Sequence, residues 1–475
     1  MTTPLPTGFR IAVDPDTKQL TDTTLFGGAP ARVMRLSPVG MAAWQRLQDH
    51  LVDSAATGTL ARRLTDAGVA HPRPPEPGRK PDITVIVPVR DRAELLARCL
   101  SSVGDEHPVL VVDDGSADPD AIAAVALRFG AKVVHRIENG GPAAARNTGL
   151  STVDTKLVAF LDSDCEAAPG WLDGPAAHFA DPLVAAVAPR VLAVAPHTWA
   201  GRYAACAASL DLGPREARVV PGTRVAYVPT AALLVRRAAL PDQVFDPGLR
   251  YGEDVDLIWR LHAAGHRIRY DPSAVVRHHE PESWSALLGR RFAYGTSAGP
   301  LALRHPAAIA PLVLQPWPVV TVAALLGRRP LLAASSFVAS VLAMRRTLSR
   351  ADLPATGVLR AMGNGVYQTW LGASRYGVQF GAPLLLAGLL RPGGRTPGRR
   401  WGRRIALASL VFSRPLATWF TQRPPLDPVR FTAASLADDV AYGAGVWAGS
   451  ARARTFRAVL PAVSWRPFRI TRTAR

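Results

Sequence analysis

Leu157-Val158-Ala159-Phe160-Leu161-Asp162-Ser163-Asp164 is the stretch on which the reading of this chain turns. Five consecutive apolar residues suit a strand buried on both faces. The run ends in two carboxylates two positions apart, with Cys165-Glu166 and the breaker Pro169-Gly170 behind them. Side chains two apart on an extended strand point the same way, so both acids are expected to address one ligand. Paired carboxylate oxygens at a strand tip suit a divalent cation, and a cation held there ordinarily serves a phosphate ester. A capped turn carrying solvated acids is the plain alternative, and the segments upstream decide between them.

Those segments alternate strand and helix. Ile83–Pro88 reads as a buried strand, Ala93–Val103 as a helix, and Val109–Val112 as a strand running into Asp113-Asp114-Gly115-Ser116. A helix over Pro119–Phe129, a strand over Lys132–Val134 and a helix over Pro142–Leu150 lead to the strand that ends at Asp162. Repeated βα units with continuous apolar strands predict a mainly parallel sheet covered on both faces, with ligands bound beyond the strand C-termini. Three of those ends carry Val89-Arg90-Asp91, Asp113-Asp114-Gly115-Ser116 and Asp162-Ser163-Asp164. Further on, Glu253-Asp254 open an amphipathic helix after Tyr251-Gly252, and His278-His279 follow the strand Ala274–Val276. Acids in a first helical turn also suit the helix dipole, whatever their chemistry.

Charge divides the 475 residues into two differently built parts. Up to Glu280 there are 30 Lys and Arg against 32 Asp and Glu; from Pro281 onward there are 26 Arg, no Lys and 5 acids. A net charge of +19 ordinarily suggests nucleic acid. Here the arginines punctuate apolar runs rather than lining a face with stacking aromatics, which argues for an anionic membrane surface and against DNA or RNA. Ile309–Leu326 is uncharged and approaches the roughly 20 residues that span a bilayer, but its three prolines equally allow a re-entrant or surface-lying element. Pro330–Met344 and Tyr376–Leu390 are shorter uncharged runs closed by arginine. Cys99, Cys165 and Cys206 form no close pair, against a disulfide framework or a zinc site. Met1–Ile11 lacks a basic segment followed by an apolar core, so no signal peptide is expected.

The expected organisation is a small N-terminal winged-helix-like module over 1–71 and a Pro-rich linker over 72–81. A sugar-nucleotide-type α/β domain would occupy 82–300, and a helical, Arg-rich, membrane-associating region 301–475. In the first module, Met41, Trp44, Leu47 and Leu51 share a helix face started by Ser37-Pro38, and a second helix around Leu60 and Leu64 ends at Gly68.

Five motifs in order, "ITVIVPV" (83–89), "VVDDGS" (111–116), "GPAAARNTG" (141–149), "FLDSD" (160–164) and "GEDVDLIWRL" (252–261), resemble glycosyltransferase family 2. The resemblance spans about Asp82–His279 and implies the GT-A fold, a mixed, mainly parallel sheet that binds a nucleotide-diphospho-sugar. It implies a metal-dependent, inverting hexosyltransferase using Mg2+ or Mn2+, with Asp164 and His278 or its neighbour His279 as metal ligands. On that likeness Asp114 contacts the uracil, and Asp162 the metal or ribose. Pro88, Arg90 and Arg146 belong to the nucleotide-sugar site, where helix amides beside Arg146 and Asn147 could face the diphosphate. Asp254 is implied as general base and Glu253 as the residue that orients it or the acceptor. "LFGGAPARVMRLSP" (25–38), the stretch 211–240 and the Arg-rich end are similar to the branch of the family that acts on premycofactocin, a peptide-derived redox cofactor. That likeness implies UDP-glucose as donor, a β-linked glucose chain as product, and a place on the cytoplasmic face of the cell membrane. A transferase acting on a cell-wall lipid or polysaccharide is the rival within the family. A silent sugar-nucleotide-binding protein is the rival outside it, and the retention of Asp164 and Asp254 argues against that.

Overall fold

In the computed structural model, which describes all residues except 1–2, 77, 79–80, 392–396, 465–468 and 473–475, Ile83–Val89 is buried at every position. It is the middle of a sheet because seven residues without a charge can satisfy their backbone only by pairing on both edges. Val109–Asp114 and Lys132–Arg136 stack parallel on one side of it, and Leu157–Leu161 parallel on the other. Helices Ala93–Val103, Pro119–Arg128 and Gly141–Thr152 make the crossovers. Gly149 lets the last of these lie close, since a Cβ there would meet Ile86 Cγ2 at 2.6 Å.

Beyond Leu157–Leu161 the pairing changes. Ala232–Arg236 runs antiparallel to it and to Val184–Ala193, which in turn pairs parallel with Arg267–His278. The short strand Cys165–Ala167 closes that side, antiparallel to Arg267–His278. The sheet is therefore parallel in its first half and mixed in its second, which is the GT-A-like arrangement. Its core draws on Val85, Val87, Leu96, Val111, Ile122, Leu161 and Leu234.

The N-terminal segment builds its own small core from Phe9, Leu25, Met34, Trp44, Leu47 and Leu64. Ser37 caps the helix Pro38–Asp49, and Ala55–Ala67 ends on Gly68 in the left-handed conformation. His71-Pro72-Arg73, expected to begin an extended linker, instead pair as a strand with Arg10–Val13, Pro72 opposite Ile11. A two-stranded ribbon tolerates the proline because it has an edge that needs no N–H. Pro77, Arg79 and Lys80 of that stretch lie outside the described residues. Arg62 reaches Asp181 through two hydrogen bonds of 2.6 and 2.7 Å, both side chains buried. Arg267 likewise grips Asp66 at 2.6 Å through two nitrogens.

The chain packs as two compact units, one running to His197, again over Ala207–Glu280 and taking in the chain from Ile470, the other joining Thr198–Cys206 to Pro281–Arg469. The second unit is helical, with Trp284–Thr296, Pro316–Leu326, Pro330–Arg350, Val358–Leu390, Pro397–Gln422 and Pro428–Arg452 as its longer elements. The run Ile309–Leu326, whose prolines left its form open, is not one continuous helix. Pro316 sets a first helical turn and cannot continue one, so the helix covers only Pro316–Leu326. Among the described residues, Pro330–Arg350 is the helix long and apolar enough to cross a membrane, at 21 residues with a mean hydropathy of 1.3 over its most apolar 18.

Removing one partner of a buried ion pair leaves an uncompensated charge. Arg62→Ala is expected to lower unfolding free energy by about 3–5 kcal/mol in chemical denaturation. The double change Arg62→Met with Asp181→Leu should recover most of that loss.

Candidate active site

Arg146 is the centre of the polar cluster at the sheet's rim. The helix Gly141–Thr152 carries it inside, where it is 3% exposed. Its Nη2 donates to Asp162 Oδ1 at 2.6 Å and its Nη1 to Glu253 Oε1 at 2.9 Å. Burial alone would weaken its hold on the proton, but the two carboxylates outweigh burial and raise its pKa. The guanidinium lies 5.8 Å from the Phe245 ring, which meets Phe160 edge-on at 5.4 Å. Asn147 exchanges two hydrogen bonds with the Phe245 backbone, 2.7 and 3.1 Å, so its amide positions the segment leading to Glu253.

Gly252 enters that helix at φ 82°, a left-handed conformation that a side chain would oppose, and turns Glu253 inward. Burial pushes the Glu253 pKa up to about 7, Asp254 beside it adds to the rise, and Arg146 opposes it. Burial also raises Asp254, whose carboxylate accepts from the Val255 amide at 2.7 Å. Two adjacent carboxyls that resist ionisation together form a proton acceptor tuned toward neutral pH.

The strand stops at Leu161, and a turn closed by the Cys165 amide on the Asp162 carbonyl (2.9 Å) carries Asp162–Asp164. The two acids therefore do not share one side of an extended strand, contrary to the expectation from their spacing. Asp162 turns to Arg146, whereas Asp164 Oδ2 accepts from Arg92 Nη1 at 3.1 Å. Cys165 stands opposite His278 in the sheet, which brings His278 Nε2 to 3.6 Å from Asp164 Oδ1. His279 instead meets Glu166 at 2.7 Å. His278 is buried, which would lower its pKa, yet the Asp164 and Glu280 carboxylates raise it to about 9.

Asp164 and His278 offer one carboxylate oxygen and one imidazole nitrogen side by side. Among the described residues no group of three or more His, Cys, Asp or Glu side chains is arranged to hold a metal ion. A two-ligand set fits a cation such as Mg2+ that keeps most of its shell for water and substrate phosphate.

Asp114 is buried and fully engaged within the chain. Its Oδ1 accepts from Arg136 Nε (2.8 Å) and the Gly140 amide (3.0 Å), and its Oδ2 from the Gly141 amide (2.7 Å). The amides at the start of the Arg146 helix, expected to face a diphosphate, are thus turned to Asp114. Asp113 accepts from Ser116 and lies 2.9 Å from His135. Asp91, at φ 54°, joins two rim loops: its amide donates to Ser116 Oγ (2.9 Å) and its carboxylate accepts from the Ala117 amide (2.7 Å). Pro88 is buried within its strand, and Arg90 is half exposed, 3.4 Å from Asp91.

Three charged residues of this cluster escaped the sequence reading: Arg92 on Asp164, Arg136 on Asp114 and Glu280 on His278. Arg92 and Arg136 pair across different segments, whereas Glu280 lies two residues beyond its partner His278. A charge beside a motif residue is the one local signal that could have pointed to Arg92 and Glu280.

The chain belongs to glycosyl transferase family 2, whose model matches residues 84–240, and the protein is a glycosyltransferase. It is similar from end to end to the Pre-mycofactocin glycosyltransferase of Mycobacterium tuberculosis, 38% identical over 97% of this chain and 99% of that one. The succinoglycan biosynthesis protein ExoU of Rhizobium meliloti is 32% identical over 41% of this chain and 62% of its own. Among solved structures, the mannosyltransferase PcManGT from Pyrobaculum calidifontis, in complex with GDP-Man and Mn2+, matches at a TM-score of 0.38 and 20% identity. That match covers 72% of this chain and 89% of the other.

A base that must be unprotonated gains activity as pH rises through its pKa. The acid limb of the pH–rate profile is expected above the ordinary value of 3.8 for an aspartate, because burial raises the Asp254 carboxyl. Glu253→Gln removes one of the two neighbouring acids and should move that limb to lower pH. A limb at or below 3.8 in the parent enzyme would contradict the assignment.

Proposed function

We propose that this enzyme transfers glucose from UDP-glucose to premycofactocin with inversion, and extends a β-linked glucose chain on that peptide-derived acceptor. The observation that carries the reading is the Arg146 clamp, which fixes Glu253-Asp254 and Asp162 around one guanidinium. End-to-end similarity to a protein named for this acceptor supports the choice among family-2 substrates.

Asp254 takes the proton of the attacking hydroxyl as the acceptor oxygen bonds to C1 of the sugar. The C1–oxygen bond to the diphosphate breaks and its electron pair leaves with UDP, so one displacement inverts the centre. Glu253, held by Arg146 and sharing the proton of the pair, orients Asp254 and the acceptor. Asp114 is read as the residue nearest the uracil, with Arg90 and the strand residue Pro88 beside it and Asp162 toward the ribose. Asp164 and His278 are the residues that would hold Mg2+ or Mn2+, which when bound neutralises the diphosphate. The N-terminal residues 1–71 are read as a winged-helix-like module that recognises the peptide part of the acceptor. The Arg-rich helical region would place the enzyme on the cytoplasmic face of the cell membrane.

Mass spectrometry of premycofactocin incubated with UDP-glucose and Mn2+ should show successive hexose additions. Transfer only to a lipid or polysaccharide acceptor would replace this acceptor assignment with the rival one. Asp254→Asn should lower kcat by about 10²–10⁴-fold with UDP-glucose binding nearly unchanged. An unimpaired variant would remove Asp254 from the base role.

A further inference from the structure

The arginines at the rim differ in what holds them. Arg146 is buried between two carboxylates, and Arg136 spends its donors on Asp114 and Thr148 at 2.8 and 2.7 Å. Arg90 lies 3.4 Å from its own neighbour, Asp91. Arg92 is unlike all three. Among the described residues its side chain makes one hydrogen bond, to Asp164 Oδ2 at 3.1 Å, and it is 53% exposed. It stands at the N-cap of Ala93–Val103 without capping that helix, so a capping role does not account for it. The backbone beneath it is fixed. Asp91 holds φ 54°, a left-handed conformation that costs energy in a residue with a side chain. Its amide donates to Ser116 Oγ at 2.9 Å and its carboxylate accepts from the Ala117 amide at 2.7 Å. That pinned turn sets Arg92 opposite Asp164, whose own carbonyl accepts from the His279 amide at 2.9 Å. The result is a placed guanidinium with most of its N–H donors left over. An ion pair this exposed contributes little to stability, so holding the fold together does not explain it.

We propose that Arg92 binds the diphosphate of the sugar nucleotide beside the cation, and so stabilises the departing nucleoside diphosphate. The inference rests on the reading of Asp164 as a ligand of that cation. One carboxylate then serves both charges: His278 Nε2 lies 3.6 Å from its Oδ1, and Arg92 donates to its Oδ2. A cation and a guanidinium held at one carboxylate repel each other. A diphosphate that pairs with both relieves the repulsion, and the planar fork of Arg92 gives it charge-assisted hydrogen bonds. As the C1–oxygen bond to the diphosphate breaks, its electron pair gathers on the leaving oxygen. A guanidinium already in place stabilises that charge without reorganising.

The test is calorimetric titration of the purified full chain, with Mn2+ alone and with UDP at saturating Mn2+. Arg92→Ala should weaken UDP by at least about tenfold, the loss of a charge-assisted contact. The same change should leave Mn2+ alone bound as tightly as in the parent or more tightly, because a repelling charge is gone. Arg92→Lys keeps the charge without the fork and should recover part of the UDP affinity. An unshifted melting temperature in both variants shows that they fold. The inference is overturned if Arg92→Ala binds UDP like the parent. It is also overturned if Mn2+ and UDP weaken together, the mark of a residue that only props Asp164. An Asp164→Asn enzyme that binds Mn2+ like the parent would remove the reading of Asp164 itself, and this inference with it.

Discussion

One buried guanidinium joins the two halves of the catalytic rim. Asp162 belongs to the end of the parallel half of the sheet, and Glu253 to a helix that begins some ninety residues later, beyond the antiparallel strand. Nothing in the backbone obliges those two segments to meet. Arg146 does so with hydrogen bonds of 2.6 and 2.9 Å. A guanidinium suits this task because its donors sit in a rigid planar fork and its charge survives burial. With it in place, two acids that would otherwise repel can share one small volume, and it opposes the rise that burial and Asp254 impose on the Glu253 pKa.

The same logic of paired charges separates the roles of Asp162 and Asp164. The turn after Leu161 points one carboxylate at Arg146 and leaves the other to Arg92 and His278. Positive partners hold Asp164 where a cation would sit. Pairing across the strand Cys165–Ala167 decides which histidine joins it, because neighbouring side chains along a strand face opposite ways.

The sheet's first half was legible because its strands are uninterrupted apolar runs and its helices start and stop on Pro, Asp and Gly. Ser37-Pro38 and Gly68 marked the N-terminal helix ends for the same reason. The motif residues Asp114, Arg146, Asp162, Asp164, Glu253 and Asp254 could all be singled out in advance. Which of them face each other could not, since register and turn geometry are set by contacts far apart in sequence. His278 and His279 were indistinguishable until the partner strand was known. The prolines of Ile309–Leu326 left its form open in the sequence, and Pro316 opens a helix that ends at Leu326.

The proposal on which the rest depends is that Asp164 and His278 hold a cation through which the sugar nucleotide binds. Titration calorimetry of UDP-glucose into the purified enzyme, with Mn2+ and with excess chelator, tests it most directly. The account predicts binding that requires the ion and weakens at least about tenfold in Asp164→Asn, the equivalent of about 1.4 kcal/mol. Equal affinity in chelator, or an Asp164→Asn enzyme that binds like the parent, would contradict it.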